Sequence, residues 1–172
     1  MRIIAGEAKG RRLSSYNSDR VRPTLDRVKE AVFNMLGASV PDSIVLDLFA
    51  GFGGLGLEAV SRGAERAYFV EKRYKTAEII KENINKCGFE NRTELLIKDF
   101  FKFLSKTSVI FDLIFMDPPY NNNLVNKSIN LICNKNLLNR GGILVVEHHQ
   151  DEIIKEIFNL EKIKEKKYGD TL

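Results

Sequence analysis

Cysteine and histidine are scarce in this sequence, with two of each in 172 residues. The histidines, His148 and His149, are neighbours, and two such ligands are too few for a metal cluster of the usual His/Cys kind. Cys87 and Cys133 both fall in apolar helical patterns. They read as buried free thiols rather than as a disulfide framework. Long hydrophobic runs are also missing. The longest candidate, Val109 to Met116, is interrupted by Asp112 and falls well short of the ~18 apolar residues a membrane span requires. The N-terminus opens with the strand-like Arg2-Ile3-Ile4-Ala5 and has no apolar signal-peptide region. Internal repeats and low-complexity segments are absent as well. The expected location is the cytoplasm, with no membrane partner.

What is present is an ordinary globular balance of 44% hydrophobic and 29% charged residues, in a chain of a length that fits one domain with a real core. The net charge of +4 is unevenly distributed. Residues 1–29 carry eight basic side chains against three acidic ones, while the remainder is nearly balanced. A basic arm on a near-neutral body suits a polyanionic partner.

Residues 2–5 and 11–15 suggest two short strands around Gly6 to Gly10, a hairpin. A polar loop follows, ending at Pro23. Thr24 suits a helix N-cap, and Leu25, Val28, Val32 and Leu36 then recur at helical spacing up to Gly37. From Ile44 the chain alternates. Strands are predicted at Ile44–Phe49, Arg66–Glu71, Thr93–Ile97, Phe111–Met116 and Ile143–Glu147. Helices are predicted at Leu55–Arg62, Tyr74–Cys87, Phe100–Leu104, Leu124–Cys133 and Asp151–Phe158. Nearly all-apolar strands between helices imply a doubly wound, mostly parallel α/β sheet covered on both faces. Ligands of such sheets bind at the carboxyl ends of the strands.

The first strand runs into Asp47-Leu48-Phe49-Ala50-Gly51-Phe52-Gly53-Gly54-Leu55-Gly56. Gly51, Gly53 and Gly56 form Gly-x-Gly-x-x-Gly at a strand-to-helix turn, where glycine permits positive φ and close backbone approach to a ligand. The pattern serves several nucleotide-like cofactors, and it also occurs as a bare turn. Two acids narrow the choice. Glu71 closes the second strand, where a carboxylate can accept from both hydroxyls of a ribose. Asp47 precedes the glycines, where it would repel a pyrophosphate but attract an ammonium group. This favours S-adenosylmethionine over a dinucleotide. Asp99 then suits an adenine amino group, and Phe100 or Phe101 suits stacking on the ring.

Asp117-Pro118-Pro119-Tyr120 directly follows the buried strand Phe111–Met116. Two prolines fix a rigid, extended turn. Asp117 and the Pro118 carbonyl can both accept from one exocyclic amine. Those hydrogen bonds localise the nitrogen lone pair for attack on a sulfonium methyl. Tyr120 offers a face for stacking a flipped base.

These residues resemble the amino-methyltransferases of nucleic-acid bases. More narrowly, the chain resembles the bacterial 16S ribosomal RNA guanine-N2 methyltransferase family of the RsmD type. The resemblance runs through Arg2-Ile3-Ile4-Ala5-Gly6, Gly10-Arg11-Arg12-Leu13, the block from Arg22 to Glu30, Leu46 to Gly51, Leu57-Glu58-Ala59, Ser61 to Ala64, Asp117 to Tyr120 and Tyr168 to Thr171. It implies a seven-stranded Rossmann-like methyltransferase sheet with an N-terminal β-hairpin extension. It also implies S-adenosylmethionine held by Asp47, Phe49, Gly51, Gly53, Gly56, Glu71, Asp99 and Phe100, with catalysis by Asp117, Pro118 and Tyr120. The substrate would be a guanine N2 of 16S ribosomal RNA, in the small subunit or its assembly intermediate, with the protein acting as a monomer. Residues 1–23 would form the RNA-binding arm, with Arg2, Lys9, Arg11, Arg12, Arg22 and Arg27 on the phosphates, and residues 24–172 the methyltransferase domain. Phe52 stands where the family usually has a small hydroxyl residue, so its ring must turn away from the cofactor or narrow the pocket. Two other readings fit the motifs: a DNA amino-methyltransferase, and an idle RNA-binding or ribosome-assembly module on the same scaffold.

Overall fold

The computed structural model describes residues 1–16, 23–119, 123–154 and 159–167, with residues 23–25 as backbone only. Five strands alternate with helices: α1 (Pro23–Leu36), β1 (Ile44–Asp47), α2 (Gly54–Ser61), β2 (Arg66–Glu71), α3 (Tyr74–Cys87), β3 (Thr93–Ile97), α4 (Phe100–Lys106), β4 (Phe111–Met116), α5 (Leu124–Asn134) and β5 (Leu138–Val146). All pair in parallel, in the order β3-β2-β1-β4-β5. Each strand sends alternate side chains to opposite faces. Val45 therefore joins a core with α1, α2 and α3, whereas Leu46 joins one with α4 and α5. Both faces are covered, which is the reason the middles of the strands are mostly apolar.

The order matters for function. The chain winds outward from β1 through β2 to β3, then crosses back to place β4 on the other side of β1. The loops leaving β1 and β4 thus diverge and open a crevice at the carboxyl edge, the switch point at which such sheets bind ligands. A separate shallow concavity of about 350 Å³, bordered by Pro41, Asp112 and Arg140, lies at the amino ends of the strands, away from that crevice.

Several expectations need correction. Five strands are present among the described residues, not seven. The expected hairpin is reduced to one isolated antiparallel bridge, Arg2 with Arg12, supported by Ile3 N donating to Arg11 O and Leu13 N to Met1 O. The strand read as Ile143–Glu147 instead starts at Leu138. Gly141 (φ 79°) and Gly142 lie inside this strand and let it continue irregularly. The ladder jumps from Phe111–Leu138 to Leu113–Ile143, and a Cβ on Gly142 would lie 2.9 Å from two backbone oxygens. The first strand ends at Asp47, although Leu48 N still donates to Phe115 O. Helix α1 begins at Pro23, ahead of the expected cap Thr24, because proline fits the first helical position, where no N–H is needed. Residues 151–154 are turn and coil, not helix, and the rest of that expected helix lies outside the described residues.

The inward face of α1 is also shifted from the expected one. Phe33 and Leu36 are buried, with the charged Lys29 beside them at 3% exposure. Phe33 packs on Phe115 at 5.6 Å between ring centroids, and the Arg62 guanidinium lies over the Phe33 ring at 4.9 Å. Lys29 is there because of Glu58 on α2, which is completely buried. Glu58 Oε2 is 3.0 Å from Lys29 Nζ, and its Oε1 is 2.8 Å from Arg62 Nε. The same carboxylate accepts from Ile4 N (2.8 Å) and Ala5 N (3.0 Å). One turn on, Ser61 Oγ accepts from Ala8 N and donates to Ala5 O. Burial pulls the Lys29 pKa down, partly countered by the Glu58 charge. The N-terminal segment is therefore strapped along α2 by side chains of that helix.

Candidate active site

Asp47 and Asp117 meet at the switch point. Asp47 closes β1 beside Phe115 of β4, and Asp117 is two residues further along β4's path. Asp47 is 4% exposed, and its Oδ2 accepts a 3.0 Å hydrogen bond from Gly56 N. Burial, with a smaller push from the Glu71 charge, raises its pKa to about 7 against the pull of that N–H. A buried carboxylate stripped of water and facing another acid is the environment a cationic ligand would relieve. Asp117 is pushed upward as well, by lost hydration first, then by Glu147 and Asp47. Its side chain is open to solvent, although much of the protein surrounds it.

The glycine loop has the shape its sequence requires. Gly51 and Gly53 take φ of 52° and 81°, values that L side chains rarely adopt. A Cβ on Gly51 would meet only Phe49 O at 4.0 Å, so this face of the loop is open to a ligand. Gly53 and Gly56 serve packing: a Cβ on Gly56 would lie 2.3 Å from the Phe69 ring. Beyond its N–H bond to Asp47, Gly56 thus allows α2 to close on β2.

Glu71 stands at the end of β2, half-buried, and its Oε1 accepts from Arg73 N at 2.7 Å. Asp99 caps α4, with Oδ1 accepting from Phe101 N at 3.0 Å and Lys102 N at 3.4 Å. Phe49 and Phe100 face each other at 5.1 Å between centroids, whereas Phe101 is 54% exposed. The Phe52 ring turns to Tyr16, meeting it edge-on at 5.5 Å. Pro118 is buried after β4. Asp47, Glu71, Asp99, Phe100 and Asp117 therefore all border the carboxyl edge, and the open face at Gly51 together with the Asp47 carboxylate fits a ligand carrying an ammonium group. Tyr120 and Arg22 lie outside the described residues, as do Tyr168 to Thr171.

The basic arm is placed less simply. Lys9, Arg11, Arg12 and Arg27 are exposed. Arg2, 64% exposed, lies 3.6 Å from Asp26. Arg11 donates to Lys86 O in the last turn of α3, which is at the amino end of the sheet. Among the described residues, the segment reaches the glycine loop at Ser14 to Tyr16. Sequence reasoning missed Glu147, which follows β5 beside Asp117 and donates its N–H to Met116 O. The strand-end rule that located Asp117 would have found it. It also missed Asn83, which no local pattern distinguishes from a helix-surface polar residue.

The whole chain, residues 1–172, matches the family model described as "Conserved hypothetical protein 95". It is 39% identical to "Ribosomal RNA small subunit methyltransferase D" of Haemophilus influenzae, covering 98% of this chain and 89% of that protein. To the protein of the same name in Escherichia coli it is 34% identical, covering 86% and 74%. Among solved structures, "Putative methyltransferase yhhF from Escherichia coli" superposes with a TM-score of 0.88 at 30% identity, covering 99% of this chain and 93% of that one. With an open glycine loop and Asp47 at the carboxyl edge of a methyltransferase sheet, the chain belongs to the RsmD-type family of S-adenosylmethionine-dependent methyltransferases.

Proposed function

We propose that this protein methylates the exocyclic N2 amine of a guanine in 16S ribosomal RNA, within the small subunit or its assembly intermediate. The observation that carries this reading is the juxtaposition of Asp47 and Asp117 at the ends of β1 and β4, one acid for the cofactor and one for the amine. The relatives' names supply the RNA class.

Asp47 would hold the cofactor's ammonium, Glu71 its ribose, and Asp99 with Phe49 and Phe100 its adenine, while Gly51, Gly53 and Gly56 shape the loop beneath it. When bound, S-adenosylmethionine supplies an electrophilic sulfonium methyl. Asp117 and the Pro118 carbonyl would accept hydrogen bonds from the two N–H groups of the guanine amine, which orients its lone pair, and Tyr120 would stack on the flipped base. Residues 1–23 act as the RNA-contacting arm on a domain spanning 24–172, in a cytoplasmic monomer. The test is mass spectrometry of ribosomal RNA nucleosides from cells with and without the gene. N2-methylguanosine lost from small-subunit RNA, and restored by the purified enzyme, supports the reading. An unchanged guanosine profile, or methyl transfer to DNA alone, overturns it.

The Asp47 environment gives a pH expectation. Its raised pKa of about 7 means that the empty site holds a proton under mildly acidic conditions. Cofactor binding must then expel that proton, so affinity falls as pH drops from 7.5 to 6, approaching tenfold per unit at the acid end. Calorimetric titration across that range should show the slope, and Asp47→Asn should flatten it at a lower affinity. A wild-type affinity independent of pH would remove Asp47 from the ammonium site.

A further inference from the structure

Asn83 of α3 is 0% exposed, and its amide holds two segments distant in sequence. Its Oδ1 accepts from Ser14 N at 2.7 Å. Its Nδ2 donates to Ser14 O at 3.1 Å and to Phe52 O at 3.0 Å. The bonds to Ser14 copy the two-bond pattern of a neighbouring strand, so the N-terminal segment docks on the side chain as it would on a sheet edge. Two residues on, the Tyr16 ring stands edge-on to Phe52 at an interplanar angle of 76°, and the Tyr16 hydroxyl is 3.4 Å from Thr76 Oγ1.

Phe52 is thus gripped through its carbonyl by Asn83 and through its ring by Tyr16. It sits between Gly51 and Gly53, both at positive φ. Glycine has little conformational preference of its own, so the grip on Phe52 does much to set the loop. The loop borders the cofactor region, and the gripping segment is continuous with Lys9, Arg11 and Arg12.

We propose that Asn83 and Tyr16 couple the two binding regions, so that RNA held by the arm raises affinity for S-adenosylmethionine and the cofactor raises affinity for RNA. The coupling rests on the reading above, in which the arm contacts RNA and the glycine loop seats the cofactor. RNA bound along the arm favours the arrangement in which Ser14 and Tyr16 are docked on Asn83 and Phe52, and so the loop geometry that Phe52 sets. A loop already held in that geometry has less conformational freedom to lose when the cofactor binds. Linkage makes the effect reciprocal. Asn83 and Tyr16 are positioning residues in this scheme.

The test uses the full chain, radiolabelled S-adenosylmethionine and small ribosomal subunits purified from cells lacking the gene. Equilibrium dialysis with and without subunits gives the coupling factor, expected at about fivefold or more for the wild type. Asn83→Asp keeps the side-chain size but loses both Nδ2 donations, and Tyr16→Ala removes the ring at a position 57% exposed, where the fold does not depend on it. Each should bring the factor close to one and raise KM for the cofactor, with kcat nearly unchanged at saturation. Tyr16→Phe, which keeps the ring, should restore most of it. A wild-type factor of one, or an unaltered factor in Tyr16→Ala, overturns the coupling even if Asn83→Asp fails to fold. Arg11→Ala with Arg12→Ala separates the two failures. If that variant binds subunits with an unchanged salt dependence, where each lost phosphate contact should reduce the log–log slope by about 0.7–0.9, the arm reading falls and the coupling with it. If subunit binding weakens as expected while subunits leave wild-type cofactor affinity unmoved, the coupling alone falls.

Discussion

Asp117→Ala should lower single-turnover methyl transfer by at least about 10²–10³-fold, the loss typical of removing one polar group aimed at a transition state. Cofactor affinity should be nearly unchanged. The separation follows from the topology: Asp117 leaves β4, whereas the glycine loop and Glu71 belong to β1 and β2 on the other side of the switch point. Alanine removes an acceptor for the amine proton and also the group that orients the nucleophile. Asp117→Asn should retain more activity, since its amide oxygen still accepts. A pH signature distinguishes this role from simple damage. The ionised carboxylate only accepts hydrogen bonds, while the protonated form spends one oxygen as a donor. With its pKa raised by burial, Glu147 and Asp47, Asp117 should make the wild-type rate climb with pH through neutrality, and Asp117→Asn should lose that climb. Near-wild-type turnover in Asp117→Ala, with cofactor saturating, would sink the proposed chemistry.

Glu58→Ala should destabilise the fold by about 3–5 kcal/mol, the usual cost of removing one partner from a buried ion pair. Four groups lose their acceptor at once: Lys29, Arg62 and the N–H groups of Ile4 and Ala5. Arg62, partly exposed, can turn towards water, but Lys29 at 3% exposure cannot. The defect should ease at alkaline pH. Without Glu58, burial depresses the Lys29 pKa further, so the unfolded chain binds more protons than the folded one, and stability then rises with pH. Urea unfolding at pH 7 and pH 9.5 measures both effects. A loss below about 1 kcal/mol at pH 7, the scale of an exposed pair, would show that the network does not hold the N-terminal segment.

Much of the fold was legible from local patterns. The bounds of β2, β3, β4 and α3 match the sequence reading to the residue, because apolar runs, helical spacing and the Gly88 stop (φ 74°) are local signals. The errors fell where local and tertiary signals disagree. The sequence reading starts the last strand only at Ile143, yet pairing with β4 carries it back through Gly141 and Gly142 to Leu138. In α1 the leucine and valine spacing pointed to a face on which Val28 and Val32 are only half-buried. The helix instead turns Lys29 inward, because its ammonium finds Glu58.

The sequence by itself determined the parallel α/β sheet, the glycine loop behind Asp47 and the Asp117-Pro118-Pro119 turn at a strand end. These depend on periodicity, φ preference and proline geometry within a few residues. Tertiary structure alone decided which polar residues go inside. Glu58 and Asn83 look like ordinary helix-surface residues in the sequence, yet both are fully buried. Their partners lie 54 and 69 positions away. A buried charge or amide is tolerable only when its hydrogen bonds are made, and no local pattern shows that a partner from so far along the chain will be there to make them.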